Sequence, residues 1–413
     1  MKIKLDVGSL RLGMFVAELD RPWVGTPFLF QGFMIESPDE LEQLRECARH
    51  VFVDDLESSQ AREIQDALVT AAGRVRSGRV SAVTVEFEEW KGAAKLRRTL
   101  ERLNNTVEKS RERIGNVLED VRAGKSVQAK DTRVVATELV ETVSRNPQTA
   151  QWMTILRSEN QQIAQHSMNV SVLAAALGRF LNWNDALVSV MSEGALLHDA
   201  GMSRVPRWIL DKPGPLSQRE FLLVRMHADY AARLLEAEGD YDRRVIDIVR
   251  HHHERIDGSG YPAGLRGHDI PGYVQAVSIV DVYESMTAEK PYEAALSPSL
   301  ALTRLHRRVD RHFDRYLVEA FIRCIGIYPL SSLVCLQNGA LGIVISSQEE
   351  NRLKPVLLLV RAPNGTFVMP RRMINLAMME AQGMTGWGIE RIADPEAEKI
   401  DVRRILLDEF MLR

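Results

Sequence analysis

The stretch HHHERIDGSGYP, residues 251–262, decides the fold of this chain because it joins three histidines to a turn rich in glycine and proline. An adjacent His198 and Asp199 stand upstream of it. Imidazole nitrogens and carboxylate oxygens clustered in this way suit borderline first-row metals. Histidine is scarce, with 10 residues in 413, yet six of them fall between positions 166 and 253. The sequence therefore predicts a metal site.

These ligands lie on segments with the apolar periodicity of helices. The segments are 160–180 with His166, 185–199 with His198 and Asp199, the helix from about 217 with His227, 243–253 with His252 and His253, and 274–286 with Asp281. Gly201, just after the second segment, is predicted to be its C-cap. Segments so far apart in sequence converge only in a helical bundle whose interior holds the ligands. We therefore expect a central all-α bundle.

The order of the motifs resembles that of a known family. The runs QHSMNVS, LLHDAGM, RMHADYAARLL, HHERIDGSGYPAGLRGHDIP and VSIVDVYESMTAEKPY follow one another as they do in HD-GYP domains, the bacterial HD metal phosphohydrolases that hydrolyse cyclic di-GMP. A lone His-Asp pair is usually a hydrogen bond at a helix end, whereas the long HHExxDGxGYPxGLxGxxIP pattern is very specific. The resemblance covers residues 145–330.

The resemblance implies a binuclear metal centre. It makes His198 and Asp199 the catalytic pair, with Asp199 bridging the two metals. The remaining ligands would be His166, His198 and Asp281 for one metal and His227, His252 and His253 for the other. The mixed nitrogen and oxygen set favours iron, manganese, nickel or zinc over magnesium. Of these we expect iron or manganese, with nickel and zinc as alternatives. His251 is predicted to be a structural bystander.

By the same resemblance, the substrate contacts are Arg255, Gly260, Tyr261, Pro262 and Lys290. The implied reaction is hydrolysis of cyclic di-GMP by a metal-activated hydroxide to pGpG, in bacterial second-messenger signalling, with GMP as a further product left open. Two alternatives stand beside it. One is a catalytically weak or inactive module that binds cyclic di-GMP or a partner protein, and the other is an HD phosphohydrolase for another nucleotide. The intact ligands favour an enzyme, and the GYP run favours cyclic dinucleotides.

Several positions differ from the family pattern, among them Asn160 and Glu293, which differ from the substrate-contacting positions of some members. Met202 stands where most members have a lysine, and its side chain donates no hydrogen bond. Gln162 stands where members with a third metal carry glutamate, so two metals are expected. Glu284 keeps a carboxylate where aspartate is usual.

Composition limits the class of protein. With 413 residues and 45% hydrophobic content, the chain can bury two or three cores. A net charge of −3 with both signs interspersed leaves no basic field for polymeric nucleic acid. Three cysteines, odd in number and widely spaced, argue for a reducing compartment. We find no apolar stretch long enough to span a membrane and expect a cytoplasmic protein.

The flanking regions have a different character. Residues 1–80 mix short β-branched runs with glycine and proline, which predicts a small α+β N-terminal module. That module resembles the small uncharacterised domain often found ahead of HD-GYP domains. Residues 331–413 are predicted to form a strand-rich C-terminal appendage, with a turn at Asn364-Gly365.

Residues 88–143 form a charged segment with an apolar seam. The seam consists of Leu96, Leu100, Leu103, Val107, Ile114, Val117 and Val121, with Ser110 at one position. It predicts a helical linker, which is either a dimerising or signal-transmitting helix or an amphipathic helix laid on its own chain. A homodimer through this segment and GGDEF-type protein partners are both left open.

Overall fold

The computed structural model describes residues 2–20, 33–35, 38–54, 92–146, 148–155, 162–289, 295–347 and 351–410. These residues fall into two compact units. One comprises residues 1–90 and 332–400, and the other comprises residues 91–331 and 401–413. The predicted fold class is confirmed, because the chain is mainly helical with a small N-terminal α+β region and a C-terminal sheet.

The N-terminal region is a four-stranded sheet with one helix. Its strands are β1 (Lys2–Asp6), β2 (Phe15–Leu19), β3 (Phe33–Met34) and β4 (His50–Asp54), in the order β1-β4-β2-β3, and its helix is α1 (Pro38–Cys47). On β4, Val51 and Val53 are fully buried while Phe52 between them is not, as the two-residue period of a strand requires. Leu44 on α1 belongs to the same core.

Eleven helices make up most of the second unit in its described residues. They are α2 (Ala93–Arg122), α3 (Ala129–Arg145), α4 (Gln148–Ile155), α5 (Gln162–Phe180), α6 (Asp185–Leu197), α7 (Arg207–Leu210), α8 (Gln218–Glu238), α9 (Arg243–His251), α10 (Gly272–Thr287), α11 (Pro298–His306) and α12 (Arg315–Ile325). Local sequence sets several of their ends. The Ser217 side chain and Glu220 form a capping box at the start of α8, and Gly239 ends it in the left-handed region at φ 79°.

The charged segment at residues 88–143 contains parts of two helices, α2 and α3, rather than one helix. The seam of α2 is buried against α4, α5 and the turn after α6, all of which belong to the same unit. This is the second of the two interpretations, an amphipathic helix laid on its own chain. Two predicted seam residues, Leu96 and Val117, are only half-buried, and Leu118 is buried where the prediction had Val117. A step of four residues from Ile114 keeps the stripe on the buried face of a helix with 3.6 residues per turn.

The C-terminal sheet has five antiparallel strands. They are β5 (Leu333–Leu336), β6 (Leu341–Ser346), β7 (Val356–Arg361), β8 (Phe367–Asn375) and β9 (Ile389–Ile392), in the order β8-β7-β6-β5-β9, and helix α13 (Leu376–Ala381) follows β8. Strands β7 and β8 are joined at the predicted turn, where Gly365 has φ 84°.

The last helix, α14 (Val402–Phe410), corrects the predicted appendage at residues 331–413. Residues 401–410 form no strand and pack with the helical unit. The Phe410 ring meets Trp152 edge to face, with centroids 5.4 Å apart, and Glu409 accepts a 2.8 Å hydrogen bond from Arg97. None of the described helices has the length and apolar composition to cross a bilayer.

We expect Phe410→Ala to reduce the free energy of unfolding of the helical unit by about 3 kcal/mol, because a buried aromatic side chain is lost. Denaturant unfolding together with hydrogen exchange of residues 148–155 measures the effect. Asp408→Ala, at an exposed position of the same helix, is the matched control and should leave both unchanged. Equal stability of the two variants would mean that α14 contributes nothing to this unit.

Candidate metal centre

Five helices bring the predicted ligands to one place inside the bundle. His166 lies on α5, His198 and Asp199 follow α6, His227 lies on α8, His252 and His253 follow α9, and Asp281 lies on α10. The surrounding faces of these helices are apolar, and much of α6 and α10 is buried. The polar cluster is therefore enclosed by hydrophobic packing, which weakens competition from water.

Asp199 lies between two groups of histidines. Its Oδ2 is 3.6 Å from the Nε2 atoms of both His166 and His198. Its Oδ1 is 3.3 Å from Nε2 of His227 and 3.9 Å from Nε2 of His252. One carboxylate oxygen thus faces each group, which is the arrangement of a bridging ligand.

The two groups match the shells that the family resemblance implies. In the first, Asp281 Oδ1 lies 3.1 Å from Nε2 of His166 and 3.7 Å from Nε2 of His198. In the second, the ligand atoms of Asp199, His227, His252 and His253 all lie within 4.8 Å of one another. His251 is outside both groups, and its Nδ1 lies 3.7 Å from Glu254 Oε1.

Backbone carbonyls fix the orientation of three of the imidazole rings. The Nδ1 atoms of His198, His227 and His252 donate to the carbonyls of Ala195, Val224 and Val249, at 2.7, 2.6 and 2.9 Å. Each acceptor lies three residues earlier in the chain. Because a carbonyl only accepts, Nδ1 carries the proton and the Nε2 lone pair points into the cluster.

A buried carboxylate orients the fourth ring. Glu284 accepts a hydrogen bond from Nδ1 of His166, and its other oxygen accepts one from Asn169 Nδ2 at 2.7 Å. From the sequence, Glu284 was only a carboxylate where aspartate is usual, and Asn169 was not among the predicted site residues. Their positions three residues after Asp281 and three after His166, on the same helix faces, were the available signal.

The geometry fits divalent cations. Nε2 of His166 lies 3.2 Å from Nε2 of His198, and Nε2 of His227 lies 3.4 Å from Nε2 of His252. Where both Nδ1 atoms of such a pair are protonated, two lone pairs face each other and repel. A cation held by both nitrogens removes that repulsion, and the imidazole and carboxylate donor set suits first-row transition metals.

The pKa values of the clustered side chains also favour the binding of cations. Burial raises the pKa of Asp199 and of Asp281, yet the neighbouring histidines more than offset it and hold both pKa values well below the usual range. Burial lowers the pKa of His253 to about 3 and that of His252 well below its usual value. Burial also lowers the pKa of His166, but Glu284 and Asp281 more than compensate and raise it well above its usual value. The cluster therefore holds anionic carboxylates that attract positive charge.

The loop 254–265 closes over the second group. Buried Glu254 accepts hydrogen bonds from the backbone N–H groups of Ala263, Gly264 and Leu265, at 2.7, 3.1 and 3.0 Å. A side chain on Gly260 would place its Cβ 2.5 Å from backbone atoms of Glu254. The loop can therefore fold back on the end of α9 only with glycine at this position.

The predicted substrate contacts lie in different surroundings. The Tyr261 ring, next to Pro262, lies over His253, with centroids 4.6 Å apart and planes inclined at 33°. The Arg255 guanidinium donates to the carbonyls of His252 and Glu254 at 3.1 and 2.7 Å, so part of it is committed to holding this turn. Lys290 and the side chain of Gln162 lie outside the described residues.

The prediction that Gly201 caps the C-terminal end of α6 is wrong. The helix ends at Leu197 with His198 as its C-cap, and Gly201 lies in a short 3-10 helix, residues 200–204, without a left-handed backbone. A Cβ at Gly201 would come within 2.1 Å of the carbonyl oxygen of His227. The glycine is required because it lets the turn that follows Asp199 touch α8 directly.

Comparison with known proteins gives matches along nearly the whole chain. The HD domain model matches residues 151–317, and the model of a domain of unknown function (DUF3391) matches residues 2–132. A cyclic di-GMP phosphodiesterase of Pseudomonas aeruginosa is 31% identical over 376 residues, which cover 90% of this chain and 88% of that protein. A 3′3′-cGAMP-specific phosphodiesterase of Vibrio cholerae is 30% identical over 175 residues, 42% of this chain and 38% of that protein.

Among solved structures, an HDG"Y"P protein from Bdellovibrio bacteriovorus aligns with a TM-score of 0.47 and 17% identity. The alignment covers 79% of this chain and 99% of that one.

We expect Asp199→Ala to lose both metals, because the carboxylate that faces both histidine groups is removed and two close cations would then repel. Metal analysis of protein purified without chelator measures the content. His251→Ala is the matched control and should retain the metal content of the parent chain. Loss of a metal from that control would shift the histidine assignment by one residue.

Gly201→Ala should weaken metal affinity by about tenfold or more, because the added Cβ separates the Asp199 turn from the backbone of His227. Metal titration against a competing chelator tests this. Gly272→Ala is the control, since an added Cβ there meets nothing within 4 Å. Equal affinities in the two variants would refute the role given to this contact.

Proposed function

Because this chain belongs to the HD-GYP family of metal phosphohydrolases, we propose that it is a cyclic di-GMP phosphodiesterase that opens the ring to the linear dinucleotide pGpG. The observation that carries the proposal is the similarity to a cyclic di-GMP phosphodiesterase over 88% of that protein's length. The convergence of seven polar side chains in one buried cluster supports it further.

The residues of this chain have separable roles in that reaction. We assign His166, His198 and Asp281 to one metal and His227, His252 and His253 to the other, with Asp199 shared. When bound, two divalent transition metals, expected to be iron or manganese with nickel or zinc as alternatives, would supply Lewis acidity to the phosphodiester and lower the pKa of water. The inward Nε2 lone pairs and the anionic Asp199 would hold those cations.

The surrounding residues position the substrate and limit its access to water. Tyr261 forms the rim of the second histidine group, and Glu254 holds the loop that carries it. Arg255 keeps this loop closed through two backbone carbonyls, and its positive charge lies near the place where a phosphate would sit. Lys290 is assigned to substrate binding on the family resemblance alone.

Three further assignments stay predictions. A cytoplasmic location is consistent with the cysteines, which are free thiols in this structure. A homodimer through residues 88–143 would have to use the exposed face of α2, because the apolar seam is buried within its own unit. A GGDEF-type partner rests on the family resemblance.

Met202 provides a test that separates an enzyme from a binding module. It lies three residues after Asp199, and its backbone N–H donates to the Asp199 carbonyl at 2.9 Å, which keeps it beside the metal ligands. We expect Met202→Lys to raise turnover of cyclic di-GMP by about tenfold or more, because a new cation acts on charge that develops in the transition state. Met202→Leu is the control and should not show this gain.

Turnover and affinity for cyclic di-GMP are measured on chains loaded in turn with iron, manganese, nickel and zinc. Tight binding without hydrolysis under all four metals would reject the phosphodiesterase and establish a binding module. Hydrolysis of 3′3′-cGAMP in preference to cyclic di-GMP would assign the chain the substrate of its Vibrio cholerae relative.

A further inference from the structure

A column of stacked side chains leads from the metal centre towards the surface. The rings of His252 and His253 have centroids 4.0 Å apart, and Tyr261 stacks on His253 at 4.6 Å. The Arg225 guanidinium lies 4.5 Å from the Tyr261 centroid. The Tyr261 ring therefore contacts both a proposed metal ligand, His253, and a flat cation, Arg225.

Phe221 completes this outer end. Its ring meets Tyr261 edge to face, with centroids 6.3 Å apart and planes at 83°. The Arg225 guanidinium lies 5.9 Å from the Phe221 centroid, so one cation contacts two rings. Phe221 and Arg225 are four residues apart on α8 and therefore share a face of that helix. His227, a proposed metal ligand, follows two residues later on the same helix.

Both outer side chains remain available to a ligand. Phe221 is 45% exposed, which is unusual for an aromatic ring at the edge of a buried polar cluster. Arg225 forms no ion pair with any carboxylate in the described part of the chain, and its guanidinium lies against the two rings. Two turns later on α8, by contrast, Arg233 pairs with Asp229 at 2.6 Å.

We propose that Phe221 and Arg225, together with Tyr261, form a shelf that binds one guanine base of the cyclic dinucleotide while a phosphodiester lies at the metal centre. The inference rests on the proposed function and adds residues that the family resemblance did not supply. Aromatic rings and guanidinium planes stack on nucleobases, and the arginine fork matches O6 and N7 of guanine. A contact with phosphate needs only charge and would not require two flat apolar faces beside the cation.

The test uses Phe221→Ala and Arg225→Lys in the full-length, metal-loaded protein. Lysine keeps the charge but loses the flat, forked guanidinium. Each variant should raise the KM for cyclic di-GMP by about tenfold, the effect expected from loss of one base-stacking contact. The kcat should change much less, because the shelf lies away from the reacting phosphate. Arg233→Ala is the matched control on the same helix and should keep the parent KM.

A parent-like KM in either variant overturns the proposal. With Arg225→Lys, that result would identify a phosphate contact, which lysine can also make as a point charge.

A second measurement distinguishes failure of the proposed function from failure of the shelf. If the parent chain hydrolyses bis(p-nitrophenyl) phosphate but not cyclic di-GMP, the same variants are compared by calorimetric Kd for cyclic di-GMP. About tenfold weaker binding in both still supports the shelf, and parent-like binding in either overturns it.

Discussion

The structure depends on enclosing a cluster of polar ligands in an apolar bundle with Asp199 at its centre. Burial of an anion is costly unless opposite charge or donors surround it. Here the histidines on either side of Asp199 hold its pKa well below the usual range in spite of burial. Five helices must therefore meet at one point with little freedom in position, because movement of any one would leave a buried carboxylate or imidazole without its partner.

The supporting contacts show how this precision is reached. The imidazoles of His198, His227 and His252 are each oriented by a carbonyl of the preceding turn, so the helix itself sets the ring direction. Two glycines remove the atoms that would otherwise separate the elements. Gly201 lets the Asp199 turn touch α8, and Gly260 lets the loop fold on the end of α9. These positions contribute no ligand, yet the proposed centre could not close without them.

Much of the central domain could be predicted because its signal is chemical. Histidine and carboxylate at fixed places along amphipathic helices specify both a bundle and a polar interior, and the seven expected side chains do meet. Glu284 and Asn169 were missed as a pair because hydrogen bonds between distant helices leave only weak traces in sequence. Gly201 was assigned to a cap since a glycine after a helix commonly serves that purpose, whereas a close approach of backbones depends on tertiary structure.

The flanking regions show where periodicity alone is insufficient. The seam of α2 could face another chain or its own, because an apolar stripe does not specify what covers it. Residues 401–410 were grouped with the preceding strands, although their partner, Trp152, lies far away in sequence. Residue type alone indicates which side chains can be metal ligands. The residues that cover an apolar face depend on the tertiary structure of the whole chain.

Helix α8 carries both a proposed metal ligand, His227, and the pair Phe221 and Arg225. A tilt or rotation of this helix therefore cannot change one without the other. Under the proposed function, one helix would therefore hold a metal and a base at the same time. If metal binding changed the affinity for the dinucleotide, thermodynamic linkage would require the dinucleotide to change the affinity for metal by the same factor.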